Sequence, residues 1–451
     1  MEKITHLLRT QAQENGETGK LGSKGILKSL GRLTRPSRSK LAGYIRIGSV
    51  ALTSCVWLGW GSDAVAQIIP DATWGAEQSV LTPNVPLPNG LADFLIEAGA
   101  RREANLFHSF EQFDIGEGQN VYFDSPQGIE NIFSRVRGND ASDILGTLGV
   151  NGGANLFFIN PNGIIFGRNA SLDVQGSFVA TTANGIQFGE QGFFSTTQSE
   201  VPSPLLTVNP SAFLFNQITP GTIESRSIKP VGLDSFNLPK FGLRVPDGHS
   251  LLLVGGDILI DGVIQSGNYL NELGEGLTAL DGRIELAAVA GSGTIGLDIN
   301  GNIFSLAVPP EIPRGDISLT NSAFVTTSGE AGGDIQLWGK QISLTDISAI
   351  SSGSFGAGKG GNLIVNASEL VEASSLGSGF FTSSFGSGDG GDVTITTPVL
   401  QLSEGAVITT DARGIGNSGN LVINASELVQ LSGDVLVEGE DMDTLFPSAL
   451  R

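Results

Sequence analysis

The fold is decided by a stretch that occurs twice, as NLIVNASELV at residues 362–371 and again as NLVINASELV at residues 420–429. Each copy follows a glycine, and two related strands follow the Gly-Asp pairs at Asp334 and Asp392. The Asp or Asn beside this glycine therefore recurs in steps of 28, 30 and 28 residues. Near-copies at a steady spacing in this range indicate a solenoid, in which each repeat stacks on its neighbours.

The residue types within the repeats favour strands over helices. Val, Ile, Leu and Thr form short alternating runs, and Gly, Asn and Ser separate them. The recurring Gly-Asp or Gly-Asn pair suits a sharp corner, because Gly and Asn tolerate positive φ. We therefore predict an all-β solenoid. A β-sandwich is the alternative, but it does not require near-copies at a steady spacing.

Short strand-like runs also fill the chain before the repeats. They include residues 156–159, 251–254 and 258–260, each bounded by turn residues. Long helical periodicity is absent, and the best helix candidate runs from Leu91 to Arg101.

Charge divides the chain near residue 66. The 451 residues have a net charge of −21, but residues 1–66 hold ten basic and four acidic residues. This leaves 15 basic and 42 acidic residues in the rest, a net charge of −27. A body this acidic repels phosphate backbones and anionic lipid, so we expect no nucleic-acid partner. The 63 glycines come without a Gly-X-Y period, which excludes collagen.

The first 66 residues are typical of an export signal with a long basic leader. The apolar run at 47–60 is too short to span a bilayer comfortably, and Ala64 and Ala66 form an A-x-A cleavage site before Gln67. Cys55 is the chain's one cysteine and ends a lipobox-like stretch, so its lipidation is the alternative. A mature chain that begins at Gln67 has no thiol chemistry and no disulfide.

A second informative stretch is NGGANLFFINPNGIIFG at residues 151–167. Together with NLFHSF at 105–110, NIFSRV at 131–136 and LDVQGSF at 172–178, it resembles the filamentous haemagglutinin N-terminal, or two-partner secretion, family. The resemblance covers most of the chain after the signal. It implies a right-handed parallel β-helix with an N-terminal secretion-domain cap.

The resemblance also suggests how the chain is divided. The expected parts are a signal peptide with its leader, a secretion domain, a β-helix continuation and a set of solenoid repeats. Their boundaries are 1–66, 67–205, 206–315 and 316–451.

The same resemblance implies an export route and a partner. The Sec machinery would deliver the chain to the periplasm of a Gram-negative-type cell, and an Omp85-class outer-membrane transporter would recognise its N-terminal domain. The candidate recognition motif consists of Asn160, Pro161, Asn162, Gly163 and Ile164. This motif is also a strong turn signal, and both interpretations are open. A second motif of some family members, Asn-Pro-Asn-Leu, is not found upstream.

The sequence gives no sign of a catalytic, metal or cofactor site. The mature chain has two histidines without cysteine partners, so we expect no transition-metal site and a partly buried, hydrogen-bonded structural role for His108. Acidic turns at 388–392 and 438–443 lack the nine-residue calcium pattern and are interpreted as solvated turns. Asn366 and Asn424 match glycosylation sequons, but their shared repeat position suggests a stacking or turn role.

The resulting prediction is a non-enzymatic, adhesin-like protein that is secreted or displayed on the outer surface, with a ligand on a host or neighbouring cell. Two alternatives stay open. A polysaccharide-acting β-helix enzyme would need three or more charged side chains clustered on neighbouring coils, and a cytolysin would be activated on secretion. The chain ends shortly after a repeat, which fits a truncated reading frame.

Overall fold

The computed structural model describes residues 67–88, 90–234, 239–262, 275–437 and 444–451. Within them the chain forms short β-strands and one 3-10 helix, η1 (Ala72–Glu77). The first strands are β1 (Ile68–Pro70), β2 (Ser79–Leu87), β3 (Gly90–Ala98), β4 (Ala100–Arg102), β5 (Asn105–Phe113), β6 (Asn120–Asp124), β7 (Asn131–Val136), β8 (Ser142–Ile144), β9 (Thr147–Asn151), β10 (Asn155–Ile159), β11 (Ile164–Phe166), β12 (Ser171–Asp173) and β13 (Phe178–Thr181). They are followed by β14 (Gly185–Gln187), β15 (Phe193–Ser195), β16 (Ala212–Phe215), β17 (Ile223–Ser225), β18 (Pro230–Leu233), β19 (Pro239–Arg244), β20 (Ser250–Gly255), β21 (Ile258–Asp261), β22 (Glu275–Thr278), β23 (Arg283–Ala288), β24 (Gly293–Asn300) and β25 (Ile303–Ala307). The last are β26 (Ile317–Thr320), β27 (Ala323–Thr326), β28 (Asp334–Leu344), β29 (Ala349–Ser351), β30 (Leu363–Ser374), β31 (Gly379–Phe381), β32 (Val393–Ser403), β33 (Val407–Thr409), β34 (Leu421–Ser432), β35 (Asp434–Val437), β36 (Thr444–Pro447) and β37 (Ala449–Leu450).

Most strands stack in three parallel faces that enclose one core. Face 1 consists, in order, of β5, β7, β10, β13, β20, β23, β28, β30, β32 and β34. Face 2 consists of β8, β11, β17, β21 and β26, and then of the second halves of β28, β30, β32 and β34. Face 3 consists of β3, β6, β9 and β12, and then of β19, β22, β27, β29, β31, β33 and β37. One passage of the chain through the three faces is called a coil. The stacked parallel strands confirm the prediction of an all-β parallel β-helix.

The repeat spacing of 28 to 30 residues is the length of one coil. Ile335, Leu363, Val393 and Leu421 occupy the same position in four successive strands of face 1 and pair in register. The near-identical copies therefore lie two coils apart, on opposite sides of β32.

The recurring Asp or Asn forms a corner ladder, which consists of Asp334, Asn362, Asp392 and Asn420. Each side chain accepts a hydrogen bond from the backbone N–H of the next member. The Oδ1–N distances are 2.8 Å from Asp334 to Asn362, 3.2 Å from Asn362 to Asp392 and 2.7 Å from Asp392 to Asn420. The ladder satisfies a backbone donor at each corner, which explains why a short polar side chain recurs there.

Gly391 precedes Asp392 at this corner, where two coils approach too closely for a side chain. A Cβ atom on Gly391 would lie 1.8 Å from the carbonyl oxygen of Gly361. We expect Gly391→Ala to lower the free energy of unfolding by about 2–4 kcal/mol, measured by urea denaturation. The control is Gly153→Ala, because no atom lies within 4 Å of its Cβ position and the expected change is below about 0.5 kcal/mol. Similar losses in both variants would contradict the steric argument.

The inner core follows the alternation of the strands. In β30, Leu363 and Val365 point inward and are fully buried, whereas Ile364 and Asn366 point outward and are partly exposed. The same pattern continues along the coils, with core members from β3 to β33. The inner faces thus form one continuous column of apolar side chains.

A second, outer core lies on the outer side of face 1. There the strands are buried on both faces: in β10, Phe158 belongs to the inner core and Phe157 to the outer core. An antiparallel sheet of β15, β14, β16, β24 and β25, here called the outer sheet, covers this side. Phe304 of the outer sheet stacks on Phe157 with ring centroids 5.7 Å apart. Burial on both faces explains the unbroken apolar run at 156–159.

Glu285 is buried at the edge of the outer core. Its Oε2 accepts a hydrogen bond from the backbone N–H of Leu306 at 2.8 Å, and its Oε1 contacts Arg283 Nε at 2.5 Å. Burial raises the pKa of Glu285 to about 7 and outweighs the opposing effect of Arg283.

This raised pKa predicts a pH dependence of stability. Because the native state binds the proton of Glu285 more tightly than the unfolded chain does, its contribution is fully present below pH 4.5 and is lost as pH rises through about 7. The loss amounts to up to about 3 kcal/mol. We expect urea midpoints at pH 5 and pH 8 to differ less in Glu285→Gln than in the parent chain. Glu77→Gln, at a half-exposed carboxyl paired with Arg102, is the control that should keep the parent's difference. An unchanged difference in Glu285→Gln would refute the assignment.

The N-terminal cap consists of β1 to β4 and covers the first coil. β1 and β4 pair antiparallel with β5, and β2 and β3 form a hairpin. The helix predicted from Leu91 to Arg101 is wrong, because this segment forms β3 and β4, with Ala98 at φ 61° and Gly99 at φ 87° between them. β3 pairs with β2 on one side and β6 on the other, and this pairing outweighs the helix preference of its Ala, Leu and Glu residues.

Candidate functional site

The candidate recognition motif forms the corner between β10 on face 1 and β11 on face 2. β10 ends at Ile159 and β11 begins at Ile164. Pro161 has a ring-restricted φ, and Gly163 adopts φ 130°, which other residues rarely reach. The N–H of Gly163 donates to the carbonyl of Asn160 at 3.2 Å and closes the turn.

Asn160 holds this corner together. Its side chain is fully buried, and Nδ2 donates to the carbonyl of Asp140 and to Ser142 Oγ on the preceding coil, both at 3.0 Å. Its Oδ1 accepts from the backbone N–H of Asn162 at 3.0 Å and from Asn162 Nδ2 at 3.2 Å. The buried amide therefore joins two coils and shapes the turn at the same time.

Burial separates the motif residues into two groups. Four are buried: Asn160, Pro161, Gly163 and Ile164. Asn162 is exposed, although its Nδ2 also donates to the carbonyl of Gly138 at 2.7 Å. In the folded domain, a partner can reach the Asn162 side chain but not the other four. Any recognition of those four would have to act on the chain before it folds.

The candidate cleavage region is described only at its last residue. Ala64, Ala66 and Cys55 lie outside the described residues, as does the signal segment. Gln67 is exposed, and its carbonyl accepts a hydrogen bond from the backbone N–H of Asp114 at 3.1 Å. The described chain thus enters the cap at the predicted cleavage point.

A buried charged cluster lies beside the N-terminal cap, and no sequence motif marks it. Arg137 Nη1 and Ser109 Oγ donate to Asp71 Oδ2 at 2.8 and 2.9 Å. Burial by itself would raise the pKa of Asp71, but hydrogen bonds from Thr73, Arg137 and Ser109 outweigh it and lower this pKa to about 2. Arg135 is buried beside them. Its position in a strand that also holds Ile132, Phe133 and Val136 was the available signal, because a buried charge needs partners.

The structural role expected for His108 is confirmed, and its burial is complete. Its Nδ1 lies 3.0 Å from Ser79 Oγ, and its ring packs near Phe110 and Phe123. Burial lowers the pKa of His108 to about 3, so the ring is neutral near pH 7. Within the described parts of the chain, no three His, Cys, Asp or Glu side chains are grouped to hold a metal ion.

The polar turns of the repeats also form ladders. Asp389 Oδ1 accepts hydrogen bonds from the backbone N–H and the Nδ2 of Asn417 at 2.8 and 3.0 Å. Asn424 Nδ2 lies 3.5 Å from Thr396 Oγ1, at the register position that Asn366 shares. These contacts agree with a stacking role for the recurring asparagines. The acidic turn at 438–443 lies outside the described residues.

A shallow groove of about 340 Å³ lies on face 2. It contains Glu224, Asp257 and Asp316 from neighbouring coils, the type of cluster that the enzyme alternative requires. However, Asp257 Oδ1 accepts from the N–H of Asp316 at 2.8 Å, and Asp316 Oδ1 accepts from the N–H of Gln341 at 3.2 Å. Glu224 is paired with the neighbouring Arg226. Each carboxylate of the groove therefore already has a structural partner.

Among the described residues, no helix has the length and apolar character needed to cross a membrane.

A family model and two curated proteins are similar to parts of this chain. The family model described as the TPS secretion domain matches residues 66–337, more than half of the chain. The heme/hemopexin-binding protein of Haemophilus influenzae strain Rd is 37% identical over 83 residues, which are 18% of this chain and 9% of that protein. A second H. influenzae heme/hemopexin-binding protein is 38% identical over 73 residues, 16% of this chain and 8% of that protein. The chain thus spans less than a tenth of the length of these relatives.

Solved structures give weaker similarity. The HMW1 secretion domain from H. influenzae is 15% identical, with a TM-score of 0.44, and the match covers 81% of this chain and 99% of that one. The filamentous hemagglutinin secretion domain is 16% identical, with a TM-score of 0.31 and the same coverage.

Proposed function

Since this chain belongs to the TPS secretion domain family, we propose that its N-terminal domain directs it through a dedicated Omp85-class outer-membrane transporter. The chain is a TpsA-type exoprotein of two-partner secretion, and proteins with this domain are secreted through the outer membrane. The observation that supports the proposal most directly is the family match over 66–337, the region that contains the N-terminal cap, the corner at Asn160 and the outer sheet.

The architecture fits export as an extended chain followed by folding outside. Within the three faces, each strand pairs only with strands of the coils before and after it, so coils can add one at a time to those already formed. Residues 67–451 contain no cysteine, so no disulfide can form in the periplasm and block passage. We infer that Sec delivers the chain to the periplasm of a Gram-negative-type cell and that stacking of coils at the surface favours outward movement.

The functional division of the chain stays a proposal. We propose that 67–205 carries the transporter signal, that 206–315 continues the β-helix and that 316–451 contains the repeats. The inner core is continuous across residues 205 and 315, and the outer sheet takes strands from both sides of residue 205.

Beyond secretion, we propose a non-enzymatic, adhesin-like role on the outer surface or in the medium, with a ligand on a host or neighbouring cell. The polysaccharide-acting enzyme is less well supported, because Asp257 and Asp316 of the groove accept backbone hydrogen bonds from neighbouring coils and Glu224 is paired with Arg226. A cytolysin would have to lyse membranes after secretion, and a lysis assay of the secreted chain with erythrocytes distinguishes it.

The direct test is fractionation of cells that make the full chain from Met1, with and without the partner transporter. The chain should reach the surface or medium only when the transporter is present. Export that ignores the transporter would overturn the proposal.

A single variant tests whether the exposed motif residue contacts the transporter. Asn162→Ala should lower the free energy of unfolding by at most about 1 kcal/mol, through the loss of its exposed hydrogen bonds to Gly138 and Asn160. It should lower the export rate about fivefold, which corresponds to the loss of a contact of about 1 kcal/mol. Asn169→Ala, an exposed asparagine in the next turn, should export normally. Normal export of Asn162→Ala would mean that the transporter does not contact the Asn162 side chain.

A further inference from the structure

Arg135 is the largest fully buried side chain among the described residues. Its guanidinium packs against two aromatic rings, 5.0 Å from the centroid of Trp74 and 4.6 Å from that of Phe194. Its Nε donates to Ser109 Oγ at 3.0 Å, and its Nη1 donates to the carbonyl of Ser195. Its Nη2 has no hydrogen bond and lies 4.0 Å from Asp71 Oδ2.

These partners come from parts of the chain that are far apart in sequence. Trp74 and Asp71 belong to the first residues after the predicted cleavage point, whereas Phe194 and Ser195 belong to β15 of the outer sheet. Arg135 itself lies in β7, on the second coil. One buried charge therefore contacts the N-terminal segment, the first coils and an insertion that begins more than 100 residues later.

A buried charge is costly unless its partners are in place. With the N-terminal segment docked but β15 absent, Arg135 would lose one stacked ring and the carbonyl that pairs with Nη1. With β15 docked alone, it would lose the other ring and the nearby carboxylate. The enclosure is favourable only when both segments close over the guanidinium, so each segment stabilises the docking of the other.

We propose that Arg135 couples two docking steps, so that residues 67–77 dock on the first coils only when residues 193–199 also pack against the Arg135 guanidinium. This coupling through Arg135 is here called the clasp. The N-terminal segment then stays undocked until the outer sheet begins to form. Resting on the proposed function, this coupling would keep the start of the domain extended while the transporter engages it. Arg135 acts as a positioning residue and need not touch the transporter.

Hydrogen exchange on the full chain tests the clasp. Two amides report on the two segments: Asp71 N, bonded to the carbonyl of Ser109, and Thr196 N, bonded to the carbonyl of Asn184, both at 2.9 Å. Phe194→Ala should speed exchange at Asp71 about tenfold or more, and Trp74→Ala should speed exchange at Thr196 by a similar factor, because coupling is reciprocal.

The matched control is Phe304→Ala, which removes a phenylalanine of the same outer sheet that stacks on Phe157 and not on Arg135. It should change exchange at Asp71 by less than about threefold. An equal effect of Phe304→Ala and Phe194→Ala would overturn the clasp, because the change would then reflect general loss of the outer core.

The decisive variant is Arg135→Met, because the rings of Trp74 and Phe194 also touch each other, with centroids 6.1 Å apart. In this background, Phe194→Ala should no longer affect Asp71. If the Met variant does not accumulate, Arg135→Gln decides in the same way, since it also removes the buried charge. Coupling that survives either substitution refutes the proposal. Exchange is measured without the transporter, so this result is separate from that of the export experiment.

Discussion

Asn160→Ala should cost the domain about 3 kcal/mol or more and should stop its export. The substitution removes the two hydrogen bonds that the buried amide donates to Asp140 and Ser142, and the two that it accepts from Asn162. It leaves the buried Ser142 hydroxyl without this partner, which costs more than the loss of an exposed hydrogen bond, and it also removes the partners of backbone groups of Asp140 and Asn162. The corner between β10 and β11 lies among the first coils, so its failure affects the base on which later coils stack.

Urea unfolding of the purified chain and fractionation in the presence of the transporter measure the two effects. Asn162→Ala is the stability control, because the buried amide of Asn160 stays in place and only the exposed hydrogen bonds from Asn162 to Gly138 and Asn160 are lost, at a cost of at most about 1 kcal/mol. A particular pair of results would separate structure from recognition. If Asn160→Ala kept the parent's urea midpoint and still stalled in the periplasm, the transporter would recognise Asn160 directly in the unfolded chain.

A chain that ends at residue 205 should fail to fold cooperatively, whereas one that ends at residue 331, in the turn before β28, should fold. The shorter chain lacks β16, β24 and β25, so the outward side of β10 loses the cover that the outer sheet provides. Phe157 loses the ring of Phe304, whereas Phe107 and Phe133 keep their contacts with Phe188. Exposure of a large aromatic ring such as Phe157 costs about 2 kcal/mol and favours association.

Far-UV circular dichroism during urea unfolding and binding of a hydrophobic dye distinguish the two chains. The matched control keeps every coil and removes only the hairpin of β24 and β25, residues 293–307, from the chain that ends at 331. This deletion should also bind dye and lose cooperativity. If it folded like its parent, the defect of the shorter chain would come from missing coils, and the outer sheet would be dispensable.

The repeats could be predicted from the sequence because one physical requirement recurs at every coil. Leu363, Val393 and Leu421 fill equivalent inward positions, and the corner ladder needs a short polar group at each step, so both signals repeat at the coil length. The outer sheet could not be predicted in this way, because the segments that form it do not repeat in the sequence. The outer sheet pairs β16 with β24 across more than 70 residues, and only the doubly apolar strand at 156–159 hinted at a second covered side.

The candidate site was predicted in part. The motif at Asn160 was identified from the family resemblance, and its turn character followed from Pro161 and Gly163. The burial of the other four motif residues beside Asn162 could not be predicted, because it depends on stacking against the preceding coil at Gly138 and Asp140. The prediction of a helix near Leu91 was wrong because it rested on local residue preferences. The pairing of this segment with β2 and β6 could not be recognised from the sequence. Arg135 was missed because its partners are brought together only by the complete fold.

The corner ladder has an electrostatic consequence for so acidic a protein. Carboxylates and neutral amides alternate along it, as Asp334, Asn362, Asp392 and Asn420. Adjacent coils are about 4.8 Å apart, so like charges in this column are about 10 Å apart. This is close to the Debye length at an ionic strength of 0.1 M, which is about 10 Å. A column made of aspartate alone would halve that distance and place its charges where salt screens them poorly. Because carboxylates and amides alternate, the column keeps the hydrogen bond at every step, and dissolved salt screens most of the repulsion between its carboxylates.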